Sequence, residues 1–150
     1  MNPLDEIGRA LRPATWVAAA ALASLFLYLA TVEALKATLE PFRGFASVGD
    51  TQPLRYAFYG AGAAAVLLIL LLRPRLFNRR AGEDAATALL RLQRASFLTV
   101  VLGEVPALLG LVLFLIGGGA ADFYRLLAVS LVLVFIHFPR RVAWEEWLKG

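Results

Sequence analysis

Three apolar runs in this chain are each about as long as a lipid bilayer is thick, and their length restricts the fold more than any motif does. A helix needs about 20 residues to cross a hydrocarbon core of about 30 Å. In lipid, backbone N–H and C=O groups must be satisfied inside the spanning element, which favours helices. The first run, residues 14–32, carries no charge; the second is bracketed by Arg55 and Arg73; the third, residues 95–116, is interrupted only by Glu104. A fourth run of 14 residues lies between Arg125 and Arg140. It can span if it begins near Asp122 and both arginines snorkel outwards. Composition agrees: 60% of the 150 residues are hydrophobic and 17% charged, against about 45–50% and 25% in soluble domains. The expectation is an all-α integral membrane protein, a single four-helix bundle of two hairpins over residues 1–150. Its spans fall at approximately 14–34, 55–73, 95–116 and 122–139, flanked by short interfacial amphipathic ends.

Charge sets an expected orientation. With four spans, both termini and the connection between the second and third lie on one side. That side holds Arg9, Arg12, Arg73, Arg75, Arg79, Arg80, Arg91, Arg94, Arg140, Arg141 and Lys149; the other holds Lys36, Arg43, Arg55 and Arg125. The positive-inside bias then puts both termini in the cytoplasm, as in a bacterial-type inner membrane. Arg73, Arg75, Arg79, Arg80, Arg140 and Arg141 are expected to meet anionic headgroups, so membrane lipids are expected partners. Nucleic acid is not, because the basic residues scatter along membrane boundaries and form no single face. Trp16, Trp144 and Trp147 near one interface, with Phe123 and Tyr124 near the other, suggest aromatic belts.

Local signals complete the outline. Arg9 and Arg12 before an apolar run resemble a signal peptide, but Asp5, Glu6 and the length of the run favour a retained helix. Leu4, Ile7 and Leu11 precede Pro13, which suits a first helical turn. Residues 44–53 read as an irregular loop, and Arg73-Pro74 as the close of the second helix. Glu83 and Asp84 mark a new start that runs through residues 85–94 into the third span. Gly117, Gly118 and Gly119 permit a tight turn. Val142, Trp144, Trp147 and Leu148 among charges suggest a surface-lying amphipathic tail.

Chemistry is sparsely supplied. There is no cysteine, hence no disulfide and no thiolate metal ligand. His137 is the single histidine, so a metal or bis-histidine haem site is not expected, nor any cofactor. Ser24, Ser96 and Ser130 have no base beside them, which argues against nucleophilic catalysis and against an enzyme. Glu104 stands out. A carboxylate at bilayer depth costs roughly 2.5–3.5 kcal/mol, and such residues usually face a bundle interior or an ion path. Burial there favours the neutral form, with charge appearing only when water or a cation arrives. Ser24 and Ser130 are the expected hydrogen-bonding partners. Gly103, Ala107 and Gly110 form a small-residue stripe beside Glu104, and Pro106 loosens the helix nearby. Gly60, Gly62 and Ala64 offer a matching patch on the second helix, so close packing between these faces is expected within or between chains.

The segment Leu89-Leu90-Arg91-Leu92-Gln93, followed by residues 97–116 (FLTVVLGEVPALLGLVLFLI), resembles the carboxylate-bearing helix of the c subunit, or proteolipid, of rotary ATP synthases and V-type ATPases. That likeness implies a hairpin of the second and third helices, a ring of copies, and Glu104 as the carrier of a proton or cation. The chain departs from the pattern in having one short Gly60-Ala61-Gly62 patch in place of repeated glycines, and in its first and fourth helices. Three functions follow as expectations. The first is an accessory, scaffolding or subunit role in a homo-oligomer or larger membrane complex; the second is ion binding or translocation at Glu104; the third is transport of a small solute or lipid.

Overall fold

A computed structural model describes residues 3–46, 50–78 and 84–149, with side chains for 7–46, 50–78, 84 and 86–146. The described residues form five helices: α1 (Pro3–Thr38), α2 (Gln52–Phe77), α3 (Ala85–Gly117), α4 (Ala120–Ile136) and α5 (Arg141–Lys149). Stretches within α1, α2 and α3 are long and apolar enough to cross a membrane. The fourth expected span differs. α4 has 17 residues, or roughly 25 Å at 1.5 Å per residue, and stops at Ile136. Pro139 disfavours helical geometry at the residue before it, so residues 137–139 do not extend the helix.

Prolines proved weaker punctuation than expected. Pro13 lies inside α1, which begins at Pro3, and Pro74 lies inside α2, which continues to Phe77. Packing accounts for the first extension. Ile7 and Ala14 on α1 are buried with Leu89 and Leu92 of α3 and Trp144 of α5, so burial offsets the missing proline donor. Trp144 is therefore a core residue, 4% exposed, and not part of an interfacial belt; Trp16, at 76%, does face outwards. The Trp147 side chain lies outside the described residues.

α3 is the hub, packing against α1, α2 and α4. It starts on Asp84, whose carboxylate accepts from the Thr87 N–H at 3.2 Å; Glu83 lies outside the described residues. It ends at Gly118, which adopts φ +71° while its N–H donates to the Phe114 carbonyl at 2.7 Å. A Cβ there would sit 2.7 Å from the Phe42 carbonyl oxygen, so close approach and left-handed backbone both require glycine. The loop after α1 closes over this turn, with the Phe45 N–H donating to Leu115 O at 2.7 Å. The bundle thus has a turn end, at Gly118, and an α5 end. Along the middle, Leu25 and Val32 of α1, Ala107 and Phe114 of α3, and Phe123, Leu127 and Val134 of α4 form the main core.

Candidate functional site

On α1, Ser24 and Tyr28 are four residues apart and share a helix face. That face meets α3 at Glu104, which is half-buried. The Tyr28 hydroxyl donates to Glu104 Oε1 at 2.7 Å, and the Ser24 hydroxyl is within hydrogen-bonding reach of the same oxygen. Ser24 Oγ also lies 2.9 Å from the Ala21 carbonyl oxygen. One hydroxyl proton therefore has two acceptors within reach. Tyr28 was not singled out in the sequence; its position one turn beyond Ser24 was the signal.

Ser130 has a different task. It is fully buried on α4, and its Oγ accepts from the Ala107 N–H at 2.9 Å, one residue past Pro106. A buried backbone donor beside a proline-loosened turn is thereby satisfied. No hydrogen bond joins Ser130 to Glu104 among the described residues.

The small-residue stripe of α3 faces α4, not the patch on α2. A Cβ on Gly103 would lie 3.4 Å from Leu133 Cβ and Val134 Cγ2, and one on Gly110 would lie 3.0 Å from Leu126 Cβ. Ala107 is buried between them in sequence. The short α3–α4 turn forces this pairing, because consecutive helices joined by so few residues pack side by side. On α2, Gly62 is buried near Leu126 and Pro106, while Gly60 and Ala64 are exposed and a Cβ on Gly60 would meet nothing within 4 Å.

A second polar centre went unread in the sequence. Asp122, 7% exposed in the first turn of α4, accepts from the Tyr59 hydroxyl at 2.9 Å and from Arg55 Nη2 at 3.0 Å. Arg55 Nε lies 2.8 Å from Oδ2 as an ion pair without hydrogen-bond alignment, and Arg125 Nη1 is 3.2 Å from Oδ1. These contacts tie the start of α2 to the start of α4. Beside them, Lys36 Nζ donates to the Tyr124 hydroxyl at 2.7 Å and pairs with Glu33 at 3.2 Å, linking α1 to α4. Hairpin geometry was the available signal, since it brings Arg55 and Asp122 to the same end.

At the α5 end, Arg73, Arg75, Arg140 and Arg141 are exposed, and Arg141 pairs with Glu145 at 2.8 Å. Arg79 and Arg80 lie outside the described residues. His137 Nδ1 is 2.7 Å from the Leu133 carbonyl. Among the described residues, no three His, Asp or Glu side chains converge as a metal ligand set. Comparison of the chain with family models, characterised proteins and solved structures gives no match.

Proposed function

We propose that the protein is a multi-pass membrane protein with a non-catalytic accessory, scaffolding or complex-subunit role, and that Glu104 is a structural pin between α1 and α3. The observation that carries this reading is the internal pairing of the carboxyl: both hydroxyls within reach of Oε1 come from this chain's own α1. Ser24 and Tyr28 each donate to Oε1, so a single carboxyl oxygen ties two turns of α1 to α3. In this reading α4 and α5 complete the bundle, both termini are cytoplasmic and the membrane is a bacterial-type inner membrane. The exposed face of α2, with Gly60 and Ala64, is the surface left for a second copy or a larger membrane partner.

The half-burial of Glu104 favours a second reading, in which the carboxyl binds a proton or cation as in the proteolipid-like hairpin. One experiment separates the two. Gln keeps the shape and hydrogen-bonding capacity of a neutral Glu but cannot cycle a proton. A pin should tolerate Glu104→Gln, with the variant folding and assembling like the parent and the parent showing no pH-dependent carbodiimide labelling at Glu104. A carrier should lose function on this substitution, and the parent should label at Glu104 progressively less as pH rises. Labelling of that kind would overturn the pin.

A further inference from the structure

The C-terminal turns of α2 and α4, the first half of α3 and the start of α5 enclose a cavity of about 630 Å³. That volume lies in the range of roughly 300–1,000 Å³ common among ligand sites. Its walls are mainly apolar, formed by Leu92 of α3, Phe135 of α4, Phe138 and the buried Trp144, with Ser96, Thr99 and His137 adding polar groups. Two cations flank it from different elements: Arg73 on α2 and Arg140 just before α5, both exposed. The Arg73 guanidinium lies 5.9 Å from the Phe77 ring centroid, and that of Arg140 lies 5.9 Å from the Phe135 centroid. Neither arginine forms an ion pair with an acidic side chain among the described residues. This contrasts with Arg55 and Arg125, which share Asp122, and with Arg141, which pairs with Glu145.

Each guanidinium lies beside a ring, and among the described residues neither faces a carboxylate. A guanidinium fork matches phosphate geometry, and the adjoining wall suits hydrocarbon. We infer that this cavity binds one anionic phospholipid, its phosphate held between Arg73 and Arg140 and its acyl chain lying along Phe135 and Phe138. The inference rests on the membrane reading, which puts this end of the bundle at the cytoplasmic headgroup layer. It goes beyond general attraction of basic residues to a charged surface, because it requires two particular arginines and a cavity of defined shape.

The full chain, with Trp16→Phe and Trp147→Phe so that Trp144 alone reports, is purified in neutral detergent and titrated with brominated phosphatidylglycerol or brominated phosphatidylcholine. Trp144 fluorescence should be quenched at about tenfold lower mole fraction of the anionic lipid, the scale of a charge-assisted contact. The pair Arg73→Gln and Arg140→Gln should abolish this preference. The pair Arg12→Gln and Arg94→Gln, an equal charge change on exposed residues outside the cavity, should preserve it. Ala143→Phe, which narrows the cavity without changing charge, should weaken quenching by both lipids. Far-ultraviolet circular dichroism and elution volume check that each variant folds. Equal quenching by the two lipids, or equal loss in both arginine pairs, would overturn the site. Separately, alkaline carbonate that released the parent chain from membranes would overturn the membrane reading and the site with it. Retention in membranes without lipid preference would overturn the site alone.

Discussion

Glu104 and Asp122 both lie on predominantly apolar helices, yet their partners differ in kind. Among the described residues Glu104 meets two hydroxyls, whereas Asp122 meets two guanidiniums and a phenol. Their responses to substitution should differ accordingly. Asp122→Asn leaves Arg55 and Arg125 without their counter-ion. Breaking a fully buried pair costs roughly 3–5 kcal/mol, but the two arginine side chains are 40% and 65% exposed, so water recovers part of the loss. A drop of about 1–2 kcal/mol is expected in reversible unfolding in detergent, while Arg125→Gln should cost less because Arg55 and Tyr59 remain. If Asp122→Asn unfolds like the parent, this network does not join α2 to α4. Tyr28→Phe removes one donor to Glu104 and should cost about 1 kcal/mol in the same measurement. The loss should be present in Glu104 but absent in a Glu104→Leu background, since the cycle isolates the pair.

At the scale of elements, the glycines of α2 and α3 offer a direct contrast. Gly110→Leu forces atoms against Phe123 Cα and Leu126 Cβ, each within 3.2 Å of the first added carbon, and overpacking of this kind costs typically 1–3 kcal/mol. The Cβ added by Gly60→Leu meets nothing within 4 Å on this exposed face, so a single copy should unfold as the parent does. If α2 is the surface for a second copy, the Gly60 variant should instead shift the oligomer size in detergent, read by multi-angle light scattering. The N-terminus of α3 supplies a pH test. Hydrogen bonds from Thr87, hydroxyl first and then backbone N–H, hold the Asp84 carboxyl below the usual carboxylate range. Its folded value is thus lower than its unfolded one. The cap's contribution is complete above the unfolded value and is lost as pH falls through the folded one. The Thr87 amide resonance should titrate with a midpoint below that of an unstructured aspartate, and Asp84→Asn should abolish the titration.

For the whole molecule, the distribution of basic residues predicts sidedness. In sequence, eleven fall in the two terminal segments and around the connection between α2 and α3, and four fall around the other two connections. In intact cells, cysteine at Asn78 should resist an impermeant thiol reagent, and cysteine at Gln52 should react. The parent has no cysteine to confuse the result. The opposite pattern would reverse the orientation. The proposed lipid site would then face the other leaflet.

Helix type, approximate number and the continuity of α3 were legible in the residues themselves, because apolar length and helix-forming composition act locally and need no partner. Asp84 as a start and Gly118 as a stop were legible for the same reason: a cap involves residues within a turn of one another. Glu104 was conspicuous, since a lone carboxyl in an apolar run stands out in one dimension. Its actual partners were not equally so. Ser24 and Ser130 looked alike in sequence, and only the tertiary structure separated them, aiming Ser24 and Tyr28 at the carboxyl and Ser130 at the Ala107 amide. The tertiary structure likewise turned the α3 stripe toward α4, drew Trp144 into the core, carried α1 through Pro13 and α2 through Pro74, and gathered Arg55, Tyr59 and Arg125 around Asp122. These outcomes depend on helix rotation about its axis and on contacts between residues distant in the chain. Hydropathy specifies that a helix is apolar; with so many apolar faces to choose from, packing alone decides which face meets which neighbour.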